Sequence, residues 1–120
     1  MMTIIKKTLT IKDTLDGSVK QHEFYKGKWK PLVKESAIDK TLWLVGELGE
    51  VIDIIKKNHL DDISNNKSIR TEFIKEVVDC YMYLADVLNC FNISSEEVSK
   101  TYFDKLDFNL KNPRKYWKKK

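Results

Sequence analysis

The sequence is poor in chain-breaking residues, with four glycines and two prolines in 120 residues. Collagen-like and low-complexity classes are therefore excluded. No apolar run approaches the roughly 20 residues that span a bilayer, so no membrane partner is expected. The N-terminal stretch MMTIIKKTLTIKD has no continuous apolar core followed by a small-residue cleavage site, which argues against a secretory leader. The only cysteines, Cys80 and Cys90, fit no zinc or redox spacing. On one helix they would stand about 15 Å apart, too far for a disulfide. They read as reduced core thiols of a cytoplasmic protein. No G-x-x-x-x-G-K-[ST] phosphate loop and no Ser-His-Asp arrangement is present.

The formal charge of +4 is a property of one end. Residues 111–120 carry six basic residues and no acid; without them, 16 basic residues face 18 acidic ones, a net of −2. The body is thus not a basic nucleic-acid domain, and no specific nucleic acid is expected as a partner. Hydrophobic residues make up 42% of the chain and charged residues 33%, enough apolar material for one folded domain.

Three regions are expected. Residues 1–33 read as a short irregular or partly extended arm. Within it, residues 4–11 (IIKKTLTI) suit a strand or extended segment, and 12–33 suit turns, with one short helix near Val19–Tyr25. Residues 34–113 read as a helical domain, and 114–120 as a basic tail. In the domain, apolar residues recur at three- and four-residue steps from Ala37 to Ile55, predicting a helix over 35–57. The polar run 59–67 (HLDDISNNK) predicts a loop. A second helix, 68–91, is apolar around much of its circumference. Ser94 and Glu97 form the capping box S-x-x-E before a third helix, 95–110, closed by Pro113. The fold class is all-α: a helical bundle that needs a partner subunit to cover its helices.

Acids interrupt the apolar stripes. Glu47 and Glu50 lie three residues apart on the first helix, and Glu76 and Asp79 lie three apart on the second; Asp86 follows Asp79 by one heptad. If the helices pack antiparallel, four carboxylates, Glu47, Glu50, Glu76 and Asp79, converge, and burying them without a cation is costly. A hard divalent ion with oxygen ligands, such as magnesium, is the natural neutraliser. The two histidines, His22 and His59, fall in expected loops, and the Glu-x-x-His signature of di-iron bundles is absent. The competing reading is a solvated acidic seam on a non-catalytic helical interaction protein.

The strings LVGELGEVIDIIKK (44–57) and EVVDCYMYLADVLNCFNIS (76–94), separated by a spacer, carry the pattern E-x-x-E, spacer, E-x-x-D. This resembles the MazG-like all-α nucleoside triphosphate pyrophosphatases, related to dimeric dUTPases and dCTP pyrophosphatases, over residues 29–116. The resemblance implies a bundle that assembles as a homodimer or homotetramer. It implies Mg2+, with Mn2+ as a substitute, held by Glu47, Glu50, Glu76 and Asp79. It further implies hydrolysis of a nucleoside triphosphate, a dNTP or a non-canonical NTP among the choices, to a monophosphate and pyrophosphate. Glu47 or Glu50 would be the general base. Tyr83 and Trp29 correspond to aromatics near the base. Lys105, Asn109 and Arg114 correspond to residues that hold phosphates, although Arg114 comes two positions later than in the dCTP-type pattern. Trp43 reads as core or interface, and His22 as incidental.

Overall fold

The structure, a computed structural model, describes residues 8–113. Five α-helices are present among these residues, α1 (Ile11–Phe24), α2 (Ala37–Lys57), α3 (Leu60–Asn65), α4 (Lys67–Cys90) and α5 (Ser95–Lys111), with a single 3-10 turn at Lys34–Ser36 before α2. No strand is present among them, so the protein is all-α. None of these helices is long and apolar enough to cross a membrane.

The first helix corrects the expected arm. Thr10 Oγ1 accepts from the Asp13 backbone N–H, and the Asp13 carboxylate accepts from the Thr10 N–H, each at 3.1 Å. This capping box starts a regular helix of 14 residues. Asp16-Gly17 is not a turn but lies inside α1. The expected strand at 4–11 falls mostly outside the described residues, and Ile11 is already helical. The irregular part is confined to residues 25–33. There Gly27, at φ +87°, takes a left-handed conformation that suits glycine. Trp29 folds back, stacking on Tyr25 with ring centroids 4.3 Å apart.

The expected loop at 59–67 contains α3, a short helix with Asp61 and Asp62 favourably placed in its first turn. The other helices match their sequence boundaries within two residues. Asn66 caps α4 by accepting from the Ser68 and Ile69 N–H groups. The Ser94–Glu97 capping box opens α5 as read.

The centre of the fold is the packing of α4 against α2, with α1 on the adjoining face of α4. As residue numbers rise along α2, the facing residues fall along α4: Trp43 meets Tyr83, and Glu47 is coupled to Asp79. The two helices are therefore antiparallel. Asn89 ties α4 to α1 by donating to the Leu15 carbonyl at 2.9 Å.

A single chain buries little. Among the described residues, the buried apolar ones are Leu15, Ala37, Ala85 and Cys90. A stripe on α2, comprising Ile38, Leu42, Val45, Leu48, Ile52 and Ile55, remains exposed, as do Ile74, Val78 and Tyr81 on α4. Helix α5 has no buried residue at all. The radius of gyration is 17.3 Å, against about 14 Å for a compact chain of this length.

Candidate functional site

The antiparallel register of α2 and α4 stacks three pairs of side chains along one cleft. At one end are Glu47 and Asp79. In the middle are Trp43 and Tyr83, with ring centroids 6.3 Å apart. At the other end are Lys40 and Asp86. All six line a cavity of about 690 Å³. Helix α1 and the turn after it close one side, contributing His22 and Trp29. A helix repeats on one face every three to four residues, which is why positions 40, 43 and 47 meet 86, 83 and 79.

At the acid end, Glu47 and Asp79 line the cavity itself, with Glu50 and Glu76 close enough to repel them. Partial burial raises the Glu47 carboxyl above its ordinary value, and the charges of Asp79 and Glu50 push it further. Glu76 is raised as well, by desolvation and then by Asp79, Glu47, Glu50 and Glu72. Among the described residues, no Lys, Arg or His forms an ion pair with any of the four motif acids. Opposed like charges without a partner are an arrangement that a cation relieves.

The donor set is all oxygen, which suits magnesium or manganese. Among the described residues, no three His, Cys, Asp or Glu side chains are gathered at one point as a finished ligand cage. Magnesium does not require one. It commonly keeps several waters and takes one or two carboxylates together with phosphate oxygens of a substrate. Glu47 and Asp79, opposed across the cleft, meet that description, with Glu50 and Glu76 beside them.

The far end holds a buried network that sequence reasoning missed. Lys40 is only 2% exposed. Its Nζ stands 3.0 Å from His22 Nε2 and 5.7 Å from the Trp43 ring centroid. His22 Nδ1 lies 2.8 Å from the Ser18 carbonyl oxygen. Ser18 Oγ donates to Asp86 Oδ1 at 2.6 Å, and Asp86 Oδ2 is 3.9 Å from His22 Nε2. Burial raises the Asp86 carboxyl above its ordinary value, although the Ser18 hydrogen bond and the nearby His22 and Lys40 side chains oppose that shift.

His22 is therefore not an incidental loop residue. It sits in α1 and bridges α1 to α2. Trp43 is not core: at 43% exposure it forms a wall of the cleft. Trp29 and Tyr83 also line the cleft. Burial raises the Tyr83 hydroxyl, reinforced by Glu47, Asp86 and Asp79. Lys40 had one signal in the sequence, a lysine seven residues before Glu47 on the same helix face. Ser18 had none, because its role depends on where α1 docks.

Lys105 and Asn109 lie elsewhere. They share one face of α5, as their spacing required, but that face borders a separate cavity of about 680 Å³ floored by Leu88, Ile93 and Leu106. Within one chain they do not meet the acid pairs. Arg114 and the basic tail lie outside the described residues. Cys80 and Cys90 are free, and burial raises both thiols, which disfavours thiolate chemistry. No protein family, curated protein or solved structure matches this chain.

Proposed function

We propose that this protein is a magnesium-dependent hydrolase that converts a nucleoside triphosphate to a monophosphate and pyrophosphate. The carrying observation is the pair of unneutralised acid motifs, Glu47 with Glu50 and Glu76 with Asp79, beside an aromatic-walled cleft. The resemblance of those motifs to the MazG-like pyrophosphatases supplies the reaction class.

Glu47 and Asp79, with Glu50 and Glu76, would hold the metal. When bound, the ion lets a polyanionic substrate approach carboxylates, and it polarises phosphoryl oxygens. The chain's own residues supply the rest. Glu47 or Glu50 takes a proton from water as its oxygen bonds to the α-phosphorus. The bond from that phosphorus to the α,β-bridging oxygen breaks, and pyrophosphate leaves. Trp29, Trp43 and Tyr83 provide flat apolar surfaces for a base. Lys28, which lines the cleft, offers positive charge to phosphates.

The exposed apolar stripes of α2 and α4 fit a second copy of the chain, so the working form is a homodimer or homotetramer. In such an assembly a neighbouring α5 would bring its own Lys105 and Asn109 to phosphates. Two free thiols fit a reducing compartment, the cytoplasm.

The test is pyrophosphate release from a panel of canonical and modified nucleoside triphosphates, with magnesium and with chelator. Magnesium-dependent release with a monophosphate co-product is expected. A folded protein that releases nothing and gains no stability from magnesium would be a helical interaction protein with an acidic seam instead.

A further inference from the structure

Two helical turns from the acids, the cleft ends in a polar group that the proposed reaction leaves unused. Lys40 precedes Glu47 by seven residues and Asp86 follows Asp79 by seven, about 10 Å along each helix axis. Both side chains are buried. Burying a lysine and an aspartate costs more than filling the same volume with apolar groups. Their placement in the lining of an aromatic cleft points to recognition.

The hydrogen bonds define what this end offers. With the His22 Nδ1–H donating to the Ser18 carbonyl, Nε2 is left to accept from Lys40. Lys40 then retains two further N–H groups. Ser18 occupies Asp86 Oδ1, while Oδ2 accepts no hydrogen bond among the described residues. A donor and an acceptor thus line the same end of the cleft, on either side of His22, which bonds Lys40 at 3.0 Å and stands 3.9 Å from Asp86 Oδ2. The aromatic pair Trp43 and Tyr83 lies between them and the acids, and Trp29 is held edge-on to His22 at 5.2 Å.

Building on the triphosphate reading, we infer that Lys40 and Asp86 are the specificity-determining residues of the cleft. They read the hydrogen-bonding edge of a nucleobase whose ring lies among Trp29, Trp43 and Tyr83. The pairing edge of a nucleobase carries a donor beside an acceptor, the complement of Lys40 and Asp86. A plain aromatic ring would displace water from the remaining Lys40 N–H groups and from Asp86 Oδ2 without replacing its hydrogen bonds, a penalty that sites of this kind convert into discrimination. The separation of the two polar ends suits the length of a nucleoside from base edge to first phosphate.

Free nucleosides test this without metal or turnover. Cytidine, uridine, adenosine, guanosine and a ribonucleoside with phenyl in place of the base are titrated while tryptophan fluorescence is followed. Wild-type protein is expected to bind at least one natural nucleoside roughly tenfold or more tightly than the phenyl analogue. Asp86→Asn keeps an acceptor for Ser18 but turns the free acceptor into a donor. It should therefore reorder the natural bases by a similar factor. If Asp86→Asn does not fold, Lys40→Gln reads the same ratios. Equal binding of all five nucleosides, no response to any, or a uniform loss in the variant would overturn the inference. Base discrimination without pyrophosphate release would overturn the hydrolase reading and leave this one standing. Release with an unchanged base ranking in the variant would do the reverse.

Discussion

Lys40 of α2 and His22 of α1 meet at 3.0 Å in the interior of the protein, with Lys40 almost wholly withdrawn from solvent. This contact joins the helix that carries Glu47 to the helix that closes the cleft. A buried ammonium tolerates that position because His22 accepts from it and Asp86 lies near with opposite charge.

Removing the lysine alone should be expensive. Lys40→Met removes the ammonium that bonds His22 and that acts on the buried Asp86 carboxylate through its charge, and a loss of about 1–3 kcal/mol is expected. The double variant Lys40→Met/Asp86→Leu should recover much of that loss, since apolar packing replaces the charges. Denaturant unfolding of both variants checks this; equal destabilisation in the two would show that the charges are not coupled.

The Asp86 carboxyl makes stability depend on pH in a stated direction. Burial raises its pKa in the folded protein above the ordinary 3.8. The folded state therefore holds this proton more tightly than the unfolded chain, and stability falls as pH rises from 3.8 through the raised value. Asp86→Asn lacks this titration. Thermal melts from pH 3.5 to 7 should show wild type losing ground to the variant as pH rises. Parallel curves would contradict it.

The acid pairs should trade apo stability for activity. Glu50→Ala or Asp79→Ala removes a repelling charge, so the metal-free protein should melt at the same temperature or higher. Each should lose magnesium-dependent turnover, by a factor of about 10² or more. Wild type at magnesium a hundredfold above its Kd should gain about 2.7 kcal/mol of stability, and the variants much less. Wild-type turnover in both variants would place the site elsewhere.

The exposed stripe on α2 should be an interface. Sedimentation at micromolar concentration is expected to give a dimer or tetramer, and Val45→Glu or Ile52→Glu should shift it to monomer with a lower melting temperature. A wild-type chain that sediments as a stable monomer would leave the stripe without its proposed occupant.

Helices α2, α4 and α5 were legible because helical periodicity and caps are local. Ser94 and Glu97 form their capping box within one turn, whatever packs nearby. The spacing of Glu47, Glu50, Glu76 and Asp79 likewise placed each pair on one helix face before any contact was known. Helix α1 was masked by Asp16-Gly17, which has turn chemistry, yet the Thr10–Asp13 box and the docking of Leu15 on α4 outweigh the glycine.

The sequence by itself determined α2, α4 and α5 and the face on which each acid stands, since both follow from steps of three and four residues along one chain. Only the tertiary structure decided which faces meet. The burial of Lys40, the placing of His22 between two helices and the separation of Lys105 and Asn109 from the acids depend on residues far apart in sequence. Burial and electrostatics belong to a site's surroundings, and those exist only once the helices have packed.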